Sequence, residues 1–100
     1  MTPMPAYLIY RAHVHDAAAY RAYMVRTPDA IAAFGGRFLA RGGQTVTLEG
    51  APETARVIIV EFPSLAAAQA FYDSEVYRAA MPFRQGVADV QMVVVDGLRT

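Results

Sequence analysis

An α+β fold with element order β-α-β-β-α-β is predicted by three observations. Arg56-Val57-Ile58-Ile59-Val60-Glu61-Phe62 is apolar on both faces through its middle, as a central strand is. Val90-Gln91-Met92-Val93-Val94-Val95 is a second aliphatic strand at the other end of the chain. Between the strands lie two alanine-rich stretches, each opened by a residue that caps helices, Asp16 and Ser64.

Taken in order, Tyr7-Leu8-Ile9-Tyr10 is dense in strand formers and continues to about His13. Asp16 then caps a helix begun by Ala17, Ala18 and Ala19, on which Tyr20, Met24 and Ile31 form one apolar stripe. Thr27-Pro28 falls inside that stripe. Thr27 as N-cap with proline at the first helical position is a restart signal, so a kink or two consecutive helices is expected. Gly35 supplies the left-handed residue that ends the helix.

Arg37–Arg41 is the second strand. Gly42-Gly43 is expected to bend or bulge it, with Thr45-Val46-Thr47-Leu48 continuing it, and Glu49–Glu53 has turn chemistry. The strand at Arg56 follows and Pro63 stops it. Ser64 starts a helix to about Asp73, Ser74 caps a second short helix, and Pro82 disturbs its end.

With right-handed crossovers, this order places the helices on one face of a four-stranded antiparallel sheet, the ferredoxin-like plait. Residues 1–100 are read as one such domain. Large aliphatics on both sheet faces, with helices for only one, predict a homodimer packed sheet to sheet.

Composition narrows the chemistry. The chain is 55% hydrophobic with formal net charge zero, which argues against nucleic-acid and anionic-membrane partners. Every basic side chain other than histidine is arginine, so no lysine Schiff base can form. Without cysteine there is no thiolate nucleophile and no cysteine-held zinc or iron–sulfur cluster. Met1–Pro5 has no signal-peptide pattern, and no apolar run approaches the ~20 residues of a membrane span, so a cytoplasmic protein is expected.

Three constellations carry chemistry. Strand alternation across Arg37–Arg41 predicts that Arg37 and Arg41 share a face, with Glu61 beside them and Gln91 close. One reading is a guanidinium pair gripping a carboxylate or enolate, with Glu61 as base or as orienting partner. The other is an internal Arg–Glu staple that fixes the dimer. Tyr72, Tyr77 and Arg84, on or after the second helical stretch, either line a pocket for an aromatic acid or carbonyl compound or serve the core. His13-Val14-His15-Asp16 has the spacing of a metal pair, but Asp16 is needed as a cap. No metal is expected, and His13 is read as a proton shuttle. Ser64 and Ser74 are explained as caps, and Gly42-Gly43 lacks the strand–loop–helix context of a phosphate loop.

The segments Phe34-Gly-Gly-Arg-Phe-Leu-Ala-Arg-Gly-Gly43, Val60-Glu-Phe-Pro-Ser64, Phe71-Tyr-Asp-Ser-Glu-Val-Tyr77 and Arg84-Gln-Gly86 resemble, in order and spacing, the family known as domain of unknown function 1330. The resemblance covers nearly the whole chain. It implies a ferredoxin-like plait and a dimeric α/β barrel, and places Tyr72, Tyr77 and Arg84 on the family's pattern. The wider superfamily holds cofactor-free oxygenases, muconolactone-isomerase-like and haem-degrading enzymes, and plain ligand-binding modules.

Two expectations of function follow. The first is a cofactor-independent dimeric enzyme acting on a small anionic or carbonyl-bearing molecule. There Arg37, Arg41, Tyr72, Tyr77 and Arg84 bind substrate, and Glu61 and His13 move protons. The second is a non-catalytic ligand-binding or structural dimer module whose Arg–Glu charges are a staple.

Overall fold

Asp16, Ser64 and Ser74 each accept a hydrogen bond from a backbone N–H three residues on, at Ala19, Ala67 and Tyr77. Each cap satisfies a donor that the first helical turn leaves open, and so sets where a helix starts. The computed structural model describes residues 4–98; Met1, Thr2 and Pro3, part of the leader reading above, lie outside them. The strands are β1 (Ala6–Val14), β2 (Arg37–Arg41), β3 (Arg56–Phe62) and β4 (Ala88–Asp96). The helices are α1 (Ala17–Met24), α2 (Thr27–Ala33), α3 (Leu65–Asp73) and α4 (Glu75–Ala80), followed by a 3₁₀ turn at Met81–Phe83. All strand pairs are antiparallel in the order β2-β3-β1-β4, the ferredoxin-like arrangement.

Proline at Pro28 divides the first helical stretch, as the sequence suggests, but Thr27 is not the cap. It is the first helical residue, and its hydroxyl donates back to the Met24 carbonyl at 3.3 Å. Gly35 ends α2 with φ +77°, and a Cβ there would lie 2.8 Å from the Pro63 ring, so glycine is required twice over.

The core lies between helices and sheet. Leu8, Tyr10 and Ala12 of β1 and Ile58, Val60 and Phe62 of β3 meet Tyr20, Tyr23, Ile31, Phe71 and Tyr77 from the helices. The opposite, open face carries Tyr7, Ile9, Val57 and Ile59, half-buried, and Val93 and Val95, half-exposed. Ile9 pairs with both Ile59 and Val93, which makes the aliphatic patch continuous across three strands.

Two sequence expectations fail at β2. Thr45–Leu48 does not continue the strand: Gly42, at φ +74°, turns the chain away, and residues 43–55 form a loop. The face-sharing of Arg37 and Arg41 also fails. Arg37 pairs with Glu61 and Phe38 with Val60, but Ala40 pairs with Ile59 and Arg41 with Ile58. The register shift leaves Leu39 as an extra residue, a β-bulge that reverses the alternation. Arg37 therefore lies with Glu61 on the open face, and Arg41 turns to the helix side.

Candidate functional site

The expected constellations separate by face. On the open side, Arg37 Nε donates to Glu61 Oε1 at 2.9 Å. Gln91, expected beside Glu61, accepts instead from Arg11 at 3.1 Å, and Arg11 also binds both carboxylate oxygens of Glu53. The Arg11 guanidinium holds Glu53 below the usual carboxylate range. His13 is exposed, while His15 pairs with Asp89 at 2.8 Å and Asp16 is spent as a cap. Among the described residues no cluster of three or more His, Asp or Glu side chains could hold a metal ion.

Tyr72, Tyr77 and Arg84 do come together. The α3–α4 junction at Ser74 sets the Tyr72 and Tyr77 ring centroids 5.5 Å apart. The 3₁₀ turn at Pro82 then returns the chain so that Arg84 points inward; its backbone N–H donates to the Met81 carbonyl at 3.1 Å. Arg84 Nε donates to the Tyr77 hydroxyl at 3.2 Å, and its guanidinium carbon lies 5.9 Å from the Tyr23 ring centroid. Tyr77 is fully buried and Arg84 only 9% exposed.

A buried cation normally has a carboxylate partner. Arg84 has none among the described residues: the only side chain that it bonds is a phenol. Burial works against the charged guanidinium, but the Tyr77 hydrogen bond and the neighbouring phenols outweigh it and raise the pKa, so Arg84 stays protonated. Of its five N–H donors, one is used on Tyr77.

Arg84 lines a groove of about 470 Å³ between α3 and β4. Its floor is apolar, built from Leu8, Val90, Met92 and Val94, and Gln69, Tyr72 and Asp73 form its rim. Asp73 is already engaged by Arg78 at 3.1 Å. A groove of this volume, with one fixed cation at an apolar floor, suits a small largely apolar molecule with an electron-rich oxygen.

Beneath the groove lies a tyrosine network in which Tyr10, Tyr20 and Tyr23, not among the site residues expected from the sequence, join Tyr77. The Tyr23 and Tyr77 hydroxyls are 2.9 Å apart, as are those of Tyr10 and Tyr20. Burial pushes the phenols of Tyr10, Tyr20 and Tyr23 up, so these groups stay protonated and can donate. Arg56 was also missed, because a single charged residue opening a strand carries no sequence signal of its own.

Comparison with known proteins places this geometry in a family. The family described as Domain of unknown function (DUF1330) matches residues 5–98. A protein of unknown function from Rhodopseudomonas palustris is similar over 98% of this chain and 85% of its own, at 24% identity and TM-score 0.77. SnoaB from Streptomyces nogalater, a cofactor-independent oxygenase, is similar over 97% of this chain and 96% of its own, at 16% identity and TM-score 0.68. A dimeric ferredoxin-like protein of unknown function from Thermobifida fusca is similar over 94% and 92%, at 15% identity and TM-score 0.63. No curated protein matches the chain. These structural likenesses establish the fold. Among the described residues, no helix is long and apolar enough to cross a membrane.

Proposed function

The chain belongs to the DUF1330 family, and from that premise, which carries a fold but no activity, we propose that it binds a small, mainly apolar molecule through a carbonyl or anionic oxygen placed on Arg84. The observation that carries this reading is the buried Arg84 guanidinium, without a carboxylate partner, on the wall of the α3–β4 groove. Tyr72 borders the ligand at the rim. Tyr77 fixes the guanidinium and is a positioning residue.

The catalytic potential of such a site is charge stabilisation. When a carbonyl compound becomes an enolate, negative charge gathers on the oxygen, and a preorganised cation in a dry site stabilises it strongly. The chain's own side chains supply this, and the fold shared with a cofactor-independent oxygenase is compatible with it. Glu61 and Arg37 are outside this reading, because they lie on the other side of the sheet.

The same proposal includes a homodimer through the open face. The continuous patch of Tyr7, Ile9, Val57, Ile59, Val93 and Val95 supports it, as does the dimeric state of the Thermobifida fusca protein. The second reading, a structural dimer module with an Arg–Glu staple, is favoured at one place: the Arg37–Glu61 pair forms on that face.

The test is a thermal-shift screen of hydroxylated aromatic ketones and aromatic carboxylates against wild type, Arg84→Met and Tyr72→Leu. At least one class is expected to raise Tm in wild type. Arg84→Met is expected to weaken binding about tenfold or more, as loss of a charge-assisted hydrogen bond does. Tyr72 is more than a third exposed, so Tyr72→Leu reports on the groove even where Arg84→Met folds poorly. A ligand shift undiminished in both variants overturns the assignment.

A further inference from the structure

A second unpartnered arginine lies elsewhere beneath the helices. Arg56 opens β3, and its Nε is buried with no hydrogen-bond partner. No ion pair among the described residues involves it. Its position is held by the backbone opposite: a Cβ at Gly42 would lie 2.1 Å from Arg56 Nη1 and 2.4 Å from Cζ. Gly42 has φ +74°, so its conformation favours glycine, and a side chain there would push the guanidinium out of its present place.

Arg56 faces a cavity of about 40 Å³ between the helices and the sheet, whose wall is mostly apolar and whose polar lining includes Tyr10, Tyr20, Tyr23, Tyr77 and Arg41. That is space for about three water molecules. Tyr20, Met24 and Arg56 also line a wider cleft beside the loop 43–55, so the cavity and the cleft adjoin. Arg41, on the cavity wall, spends one N–H on the Met24 carbonyl at 2.9 Å, and its guanidinium carbon lies 4.5 Å from the Phe38 ring centroid.

The hydrogen-bond count shows what is missing. In the Tyr10–Tyr20 pair one hydroxyl donates to the other, which leaves one phenolic proton over. Tyr23 also bonds Tyr10, which joins this pair to the Tyr23–Tyr77 pair; since Arg84 donates to Tyr77 and does not accept, the four hydroxyls together leave one phenolic proton over. Arg56 Nε adds another spare donor. Against these donors the lining has no carboxylate, and Met24's carbonyl already accepts from Arg41 and Thr27. The Arg56 charge also pulls against the burial that raises the Tyr20 phenol, which places the two groups within each other's field.

We propose that this cavity is a binding site for a small oxyanion of carboxylate size, separate from the Arg84 groove. The anion accepts from Arg56 Nε–H and from the spare proton of the tyrosine network, and the Arg41 guanidinium on the cavity wall adds a second positive charge. The cavity takes a head group of three or four heavy atoms. A longer carboxylate would leave its tail in the cleft beside the loop.

Formate is the probe, titrated against chloride at constant ionic strength. In wild type the arginine Nε–H resonances are followed by proton–nitrogen correlation, with Arg56 assigned by its loss in Arg56→Lys. The expected result is a shift of the Arg56 Nε–H that saturates with formate but not with chloride, while the Arg84 signal stays in place. Formate is also expected to raise Tm in wild type and in Arg84→Met, and to lose that effect in Arg56→Met and Gly42→Ala. An Arg56 resonance that is unmoved, or that drifts without saturating, overturns the proposal. So does a formate-induced Tm rise that persists in both Arg56→Met and Gly42→Ala.

Discussion

On and beside the open face of the sheet, Arg11 meets Glu53 and Gln91, Arg37 meets Glu61, and His15 meets Asp89. On the helix side, Arg41, Arg56 and Arg84 meet phenols, a carbonyl or nothing. Arg78 pairs with Asp73 on the outer surface of the helices, so what separates the two regions is the buried space between helices and sheet, where arginines lack a carboxylate. A paired cation at a surface holds geometry and contributes little else. A cation left without an anion between helices and sheet costs stability, and the two proposals above assign the missing charge at Arg84 and Arg56 to a ligand.

The difference can be broken most forcefully at Tyr77, where the two helix-side regions join. Its ring meets those of Tyr23, Phe71 and Tyr72, and its hydroxyl carries Arg84. Tyr77→Ala is expected to cost about 3–5 kcal/mol, as large aromatic truncations in cores do. Tyr77→Phe keeps the ring and removes only the hydroxyl, so its cost in chemical denaturation should be clearly smaller. Equal losses in the two variants would mean that the hydroxyl, not the packing, holds this side together.

A pH series sharpens the same contrast. Tyr10 and Tyr23 have pKa values raised by burial, above the ordinary phenol value of 10.0. Below pH 10 folded and unfolded chains both keep these protons and the contribution is complete. Above it the unfolded chain releases protons that the folded chain retains, so stability falls as pH rises. Glu53, on the opposite side, has a lowered pKa, and its contribution is lost as pH falls below the ordinary 4.5. Because Glu53 is held by an exposed arginine, that acid limb should be shallow and the alkaline limb steep. Tyr23→Phe is expected to flatten the alkaline limb; an unchanged slope would count against a protonated phenol network.

What was legible in the sequence was local. Asp16, Ser64 and Ser74 announce helices because a cap is a property of a few adjacent residues, and the aliphatic runs announce strands for the same reason. Tyr72, Tyr77 and Arg84 could be grouped because they follow one another along a single helical stretch and its exit turn. Arg37 and Arg41 were misplaced because alternation assumes one residue per step, and the bulge at Leu39 adds a residue that only the pairing with β3 reveals. Thr45–Leu48 has strand composition, yet strands need a partner, and Gly42 turns the chain away before pairing continues. Arg56 was invisible as a site residue because its character comes from Gly42, a residue on another strand's exit, and from buried phenols far along the chain.

The smallest expected effect tests whether the open face is as passive in its charges as the pairing suggests. Arg37 is mostly exposed and Glu61 largely buried, at 71% and 25% side-chain exposure. Exposed ion pairs contribute about 0.2–1 kcal/mol, so Arg37→Ala should change stability by no more than that and leave the mass seen in light scattering unchanged. Ile59→Asp places a charge in the centre of the aliphatic patch, opposite Ile9, where a sheet-to-sheet homodimer would have to desolvate it. It is expected to turn the proposed dimer into a monomer that keeps the helix-side core. If Arg37→Ala separates the protomers while Ile59→Asp does not, the staple and not the aliphatic patch holds them, and charge pairing on this face is then the source of assembly.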